Sequence, residues 1–223
     1  MALTAQNPYV GPRSFLPGER LYGRDRESAE LLDLLISQRI VLLYSPSGAG
    51  KSSLINATII NEMINQGFNV LPVVRVNQTL PDGIGLDSSF NRYVYSALLS
   101  MESELTEFKQ LSNEQLYELS ISAYLNEHMG ERAVAHSEAF DEAPPLLLVF
   151  DQLEEIITLD PTDRTAKQEF FRQVGDALQD QNIWALFVIR EDYIAALDPY
   201  LRFVPTRLSN RFRLDLLEAR GAI

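Results

Sequence analysis

Apolar positions along this chain follow two rhythms. Unbroken apolar runs occur at Ile40–Tyr44 (IVLLY), Leu146–Phe150 (LLLVF) and Ile183–Ile189 (IWALFVI). Short runs without a polar face predict parallel strands buried on both sides. Between them, apolar residues recur at helical spacing. Ala29, Leu31, Leu32, Leu35 and Ile36 fall toward one side of a helix that opens after YGRDRE (Tyr22–Glu27). A second helix runs from Lys51 to Asn65 or Gln66, with Gly67 as its stop. Further helices are expected over 88–101 and 113–129, the latter closed by Gly130, and over 163–179. The last of these presents Phe170, Phe171, Val174 and Leu178 to the core. Asn69–Asn77 (NVLPVVRVN) is β-rich, and Pro72 places it at a sheet edge. Phe212–Leu216 completes the set as a fifth strand. Strands alternating with helices predict an α/β fold with ligands at the strands' carboxyl ends.

Three features fall at those ends. The first is SPSGAGKSS (Ser45–Ser53), which follows the first buried strand and opens a helix. That order of strand, glycine-rich loop and helix is the setting of a phosphate-binding P-loop. A helix start offers unpaired N–H groups and a positive dipole end to phosphate oxygens. Ser47, Gly48, Ala49, Gly50, Lys51, Ser52 and Ser53 are therefore the candidate nucleotide-binding residues. Gly48 and Gly50 let the backbone close around the phosphates. Lys51 reaches the β and γ groups, and the Ser52 hydroxyl ligates Mg²⁺. The full motif begins with glycine where this chain has Ser45. If that position needs positive φ, serine costs on the order of 1 kcal/mol.

The second feature is DQLEE (Asp151–Glu155) after LLLVF. An acidic residue ending a buried strand is what Mg²⁺–nucleotide sites use to hold the metal, and Asp151 fits that role. Gln152 stands where many ATPases carry the glutamate that polarises water. If ATP is hydrolysed, the base is Glu154 or Glu155, and the pattern does not choose between them. The third feature is Arg190 at the end of LFVI, suited equally to a γ-phosphate contact and to an ion pair with Glu191 or Asp192.

Composition narrows the class. The formal charge is −12, which argues against a phosphate-backbone-binding surface of nucleic-acid type. The 102–163 stretch is especially acidic, with Lys109 and Arg132 as its only Lys or Arg. A hydrophobic fraction of 46% is ample for a folded core. The absence of cysteine excludes disulfides, thiolate zinc sites and a cysteine nucleophile. No signal peptide or apolar run of membrane-spanning length is present, so a cytoplasmic protein is expected.

YGRDRE, SPSGAGKSS, LLLVFDQLEE and LFVIREDY follow one another in order, with NPYVG in front. Together they resemble the NTPase domain of the STAND family, signal-transduction ATPases with numerous domains, and most of all its bacterial "novel STAND" branch. The resemblance spans nearly the whole chain. It implies a three-layer P-loop fold whose five parallel strands run in the order 5-1-4-3-2, with ATP and Mg²⁺ as ligands. It further implies a nucleotide-controlled switch, slow as an enzyme, that can form a homo-oligomer when ATP is bound. It makes Arg190 a γ-phosphate sensor and places Gly23 and Arg24 near the base. Family members continue into a helical lid, a winged helix and sensor domains. The expected organisation is therefore an extended arm at 1–20, a P-loop core at 21–216 and the start of a lid at 217–223. Without the rest of that lid, weak ATP binding and little turnover are expected.

Rival functions fare less well. A GTPase needs Asn/Thr-Lys-x-Asp, which neither Lys109 nor Lys167 supplies. A small-molecule kinase needs a basic lid, whereas 102–163 is acidic. A nucleotide-binding scaffold that does not hydrolyse ATP remains the alternative, because Gln152 occupies the usual base position.

Overall fold

A computed structural model describes residues 21–81, 90–105, 110–129 and 144–217. The expected arm at 1–20, the linker around 131–143 and all of the expected lid start except Leu217 lie outside these residues.

Five parallel strands form one sheet: β1 (Ile40–Ser45), β2 (Asn69–Val70), β3 (Leu146–Phe150), β4 (Ile183–Arg190) and β5 (Arg211–Arg213). Their spatial order is β2-β3-β4-β1-β5, the expected 5-1-4-3-2 read from the other edge. The strands alternate their side chains between two cores. Val41, Leu43, Leu147, Val149, Leu186 and Val188 face one layer with Leu31, Leu35, Leu54 and Ile59. Ile40, Leu42, Leu148, Phe150, Phe187 and Ile189 face the other, with Tyr93, Leu98, Phe170 and Val174. Burying each large apolar side chain contributes roughly 1.5–3 kcal/mol, so both faces must be covered. That is why the central runs show no polar alternation.

Helix α1 (Asp25–Gln38) covers the first layer with Leu31 and Leu35, while Ala29 and Ile36 stay exposed. Helix α2 is continuous from Lys51 to Asn65: α-helical Lys51–Leu54, a π-helical turn Ile55–Ile59, then α-helical Ile60–Asn65. Gly67, at φ 87°, ends it as expected. On the opposite face lie α3 (Arg92–Glu102), α4 (Asn113–Glu118) and α5 (Ile121–Tyr124), which continues as a π-helical turn Leu125–Met129. The single helix expected over 113–129 is thus broken, because Ser112 and Ser120 each cap a separate start. Helix α6 (Glu154–Thr158) follows β3. Helix α7 (Arg164–Ala177) is capped by Asp163, whose carboxylate accepts from the Ala166 N–H at 3.0 Å. After β4 come a 3₁₀ segment, Glu191–Leu197, and α8 (Asp198–Leu201).

The edge position inferred from Pro72 holds, but β2 has only two residues before the chain leaves the ladder. It returns at Val74, whose N–H donates to Val149 O and whose carbonyl accepts from Asp151 N–H. The fifth strand lies slightly earlier than expected, at Arg211–Arg213, and pairs with Leu42–Tyr44.

Candidate functional site

The loop from Pro46 to Gly50 leaves the carboxyl end of β1 and turns directly into α2. Gly48 (φ 79°) and Gly50 (φ 89°) hold left-handed backbone, and a Cβ at either would meet nothing within 4 Å. The turn itself therefore requires glycine, and the hollow that it faces is open. Ala49 is buried, Ser47 is exposed, and Lys51, Ser52 and Ser53 are half-buried at the helix start. Lys51 Nζ donates to Ser45 Oγ at 2.8 Å, and that hydroxyl donates to Pro46 O at 2.8 Å. Ser45 is the last residue of β1, paired with Arg190, and is not among the positive-φ residues. The strain considered for serine at this position is absent.

Asp151 follows β3 and is only 3% exposed. Its Oδ2 accepts from Ser52 Oγ at 2.7 Å, and its Oδ1 accepts from the Gln152 N–H at 2.8 Å. A hydroxyl and a carboxylate thus converge at the foot of the loop. Two oxygen donors suit Mg²⁺, which keeps waters and takes phosphate oxygens rather than filling an all-protein cage. No group of three or more His, Cys, Asp or Glu residues that could hold a metal occurs among the described residues.

Gln152 sits at φ 55° and is exposed, so the backbone turns sharply after Asp151. Leu153 N–H then donates to Val188 O, which carries the motif across the end of β4. Glu154 arrives beside that strand end, where its Oε2 accepts from the Arg190 N–H at 3.2 Å. Among the carboxylates, Glu154 acts most strongly on Lys51, ahead of Asp151. Burial depresses the Lys51 pKa below the usual lysine range, and these two carboxylates oppose that effect. Glu155 is set differently. Burial pushes its carboxyl upward, with Arg75 pulling the other way. The two glutamates that the sequence left equivalent therefore face different cations.

Arg190 donates from Nη2 to Asp192 at 2.7 Å and lies 5.4 Å from the centre of the Tyr193 ring. Its Nε is buried with no hydrogen-bond partner among the described residues. The ion pair with Asp192 thus leaves the buried Nε–H without a partner at the strand end that borders the loop.

Arg24, 5% exposed, joins three segments. It donates to Glu27 Oε1 at 2.6 Å, to Ala49 O in the loop at 3.1 Å, and to Asp215 O beyond β5 at 2.7 Å. Gly23 precedes it, half-buried. The guanidinium is thus committed to protein carbonyls that tie the loop to the chain after β5.

Sequence reasoning missed Arg75. Its Nη2 lies 2.8 Å from Asp151 Oδ2, the same oxygen that accepts from Ser52. The available signal was an arginine among valines near the carboxyl end of a strand-like run.

A glycine-rich loop between a buried strand and a helix, with an acid at the end of a neighbouring strand, defines a P-loop NTPase module. The particular family follows: the profile of Novel STAND NTPase 1 matches residues 8–219, and the chain belongs to that family. The resemblance read from the motifs is borne out. A Walker-type ATPase of Pyrococcus abyssi superposes with a TM-score of 0.62 at 15% identity, over 95% of this chain and 59% of that one. The Aeropyrum pernix ORC2 protein in its ADPNP–ADP complexes gives 0.53 at 16% identity, over 93% and 51%. Its ADP form gives 0.51 at 12% identity, over 93% and 52%. At such identities the likeness shows the fold alone. The chain spans between half and three-fifths of the length of these structures. A comparison with curated proteins finds no match. No helix among the described residues is long and apolar enough to cross a membrane.

Proposed function

We propose that this chain is an ATP·Mg²⁺-binding switch module of a signal-transduction NTPase, in which slow hydrolysis resets the conformational or oligomeric state. The observation that carries the reading is the 2.7 Å contact between Ser52 Oγ and Asp151 Oδ2 beneath the glycine loop. Lys51 and the start of α2 hold the phosphates. Ser52 and Asp151 hold Mg²⁺, which supplies positive charge against the β and γ phosphates. Arg190 reads the γ-phosphate through the donor that Asp192 leaves unused, so bound ATP and ADP differ at the end of β4.

Glu154 is the water-polarising base in this reading, because its carboxylate accepts from the main-chain N–H of Arg190 at the end of β4 and is the acid that acts most strongly on Lys51. Gly23 and Arg24 border the base through backbone and packing, since the Arg24 guanidinium is engaged elsewhere. A nucleotide-binding scaffold without hydrolysis is the second reading. It is favoured by Gln152, which stands directly after Asp151 and cannot accept a proton. Phosphate release from ATP separates the two. Release that Glu154→Gln abolishes supports the ATPase, and ATP binding without release supports the scaffold.

A further inference from the structure

Arg75 shares with Ser52 the carboxylate oxygen of Asp151 that a divalent cation seated beside Ser52 would use. Asp151 Oδ1 is occupied by the Gln152 N–H, and Oδ2 accepts from both Ser52 Oγ and Arg75 Nη2. A metal seated on the Ser52 side of Asp151 draws on Oδ2, whose two lone pairs these donors take, while Oδ1 keeps one. It would also bring two positive charges close to a guanidinium. We propose that Arg75 is a positioning residue that competes with a divalent cation for the metal-facing oxygen of Asp151 and must leave it for the metal to bind. In this way Arg75 sets how much Mg²⁺ the site requires. The inference rests on the reading of Ser52 and Asp151 as the metal pair.

The local architecture suits a side chain that moves on a fixed backbone. Ser100 Oγ accepts from the Arg75 N–H at 3.1 Å, and its single proton faces both Ser96 O at 2.8 Å and the Arg75 carbonyl at 3.2 Å, which holds the residue against α3. The side chain beyond is 30% exposed, against 3% for the Asp151 side chain, so there is room on the solvent side. Glu155 is a second carboxylate within the field of Arg75, so Asp151 is not the only acid acting on the guanidinium. Metal arrival and the position of Arg75 are linked in this arrangement, and α3 lies directly behind that movement.

The test is calorimetric titration of ATP into the 223-residue chain at a series of Mg²⁺ concentrations and in EDTA. Wild type is compared with Arg75→Gln and Arg75→Lys, each checked for folding by thermal unfolding. Removing the competitor should lower the Mg²⁺ concentration for half-maximal enhancement of ATP binding by roughly two- to fivefold in Arg75→Gln, the size expected of a partly exposed ion pair. Arg75→Lys keeps the charge but loses the planar fork, so a smaller shift in the same direction is expected. Affinity in EDTA should not change. An Mg²⁺ midpoint that is unchanged or higher in Arg75→Gln overturns the proposal, as does an equal loss of ATP affinity with and without Mg²⁺. If Arg75→Gln does not fold, Arg75→Lys decides by the same criteria. Wild-type ATP binding that ignores Mg²⁺ overturns the metal reading of Ser52 and Asp151 itself, a failure visible before any variant is compared.

Discussion

Lys51 Nζ and Ser45 Oγ meet at 2.8 Å, so the residue that replaces the motif's first glycine serves as the lysine's acceptor. A half-buried ammonium without nucleotide needs such an acceptor, and burial already lowers its pKa. Ser45 Oγ provides it within the chain itself. Ser45→Ala should therefore destabilise the nucleotide-free protein by about 1 kcal/mol. Saturating ATP·Mg²⁺ should remove most of that difference, since phosphate oxygens then take the lysine. Thermal unfolding of both proteins with and without nucleotide measures this, and a penalty unaffected by nucleotide would contradict it.

Arg24 is a buried fork between the loop and the chain after β5. Arg24→Ala should cost about 2–3 kcal/mol in urea unfolding, because two carbonyls and Glu27 lose a charged donor. Arg24→Lys should recover little, since one ammonium cannot span Ala49 O, Asp215 O and Glu27 together. Full rescue by lysine would mean that only the charge matters.

The core of this fold was legible in the sequence, because the central strands are buried on both faces and read as unbroken apolar runs. The loop and Asp151 were legible too, since each follows such a run directly. What escaped notice depends on contacts distant in sequence. Arg75 gains its meaning from Asp151, to which the return of Val74 to β3 delivers it. Glu154 and Glu155 open one helix and so point in different directions, and the turn at Gln152, with a φ of 55° that no local pattern announced, precedes it. The fixed role of Arg24 requires β5 to lie beside β1, which spacing alone does not reveal.

The two glutamates should separate experimentally. Glu154→Gln is expected to lower phosphate release by about 10²- to 10⁴-fold, the usual contribution of a general base, whereas Glu155→Gln should retain most of it. Glu155 leaves a pH signature in stability instead. Its folded pKa is raised, chiefly by burial, so the native state prefers the protonated form. The resulting stabilisation is present below the ordinary glutamate value and is lost as pH rises through the raised folded value. Glu155→Gln mimics the protonated group, so its stability relative to wild type should rise across that window. A difference that is flat with pH would contradict the assignment.

Arg190 should discriminate between nucleotides. Arg190→Ala is expected to narrow the ratio of ATP to ADP affinity by roughly tenfold while leaving ADP binding nearly unchanged, because the lost contact exists only with the γ-phosphate. Calorimetry with both nucleotides reads this directly. Equal losses for ATP and ADP would make Arg190 structural, its side chain serving only its contacts with Asp192 and Tyr193.

Lys51, Ser52 and Asp151 should behave as one ATP·Mg²⁺ site. Its most direct test is calorimetric titration of ATP into wild type, Lys51→Ala and Asp151→Asn, each with Mg²⁺ and in EDTA. Lys51→Ala should weaken ATP binding on the order of a hundredfold, through loss of a charged donor to phosphate. Asp151→Asn should abolish the gain in affinity that Mg²⁺ gives while leaving binding in EDTA intact. ATP affinity unchanged in Lys51→Ala, or an Mg²⁺ gain that survives in Asp151→Asn, would contradict the account.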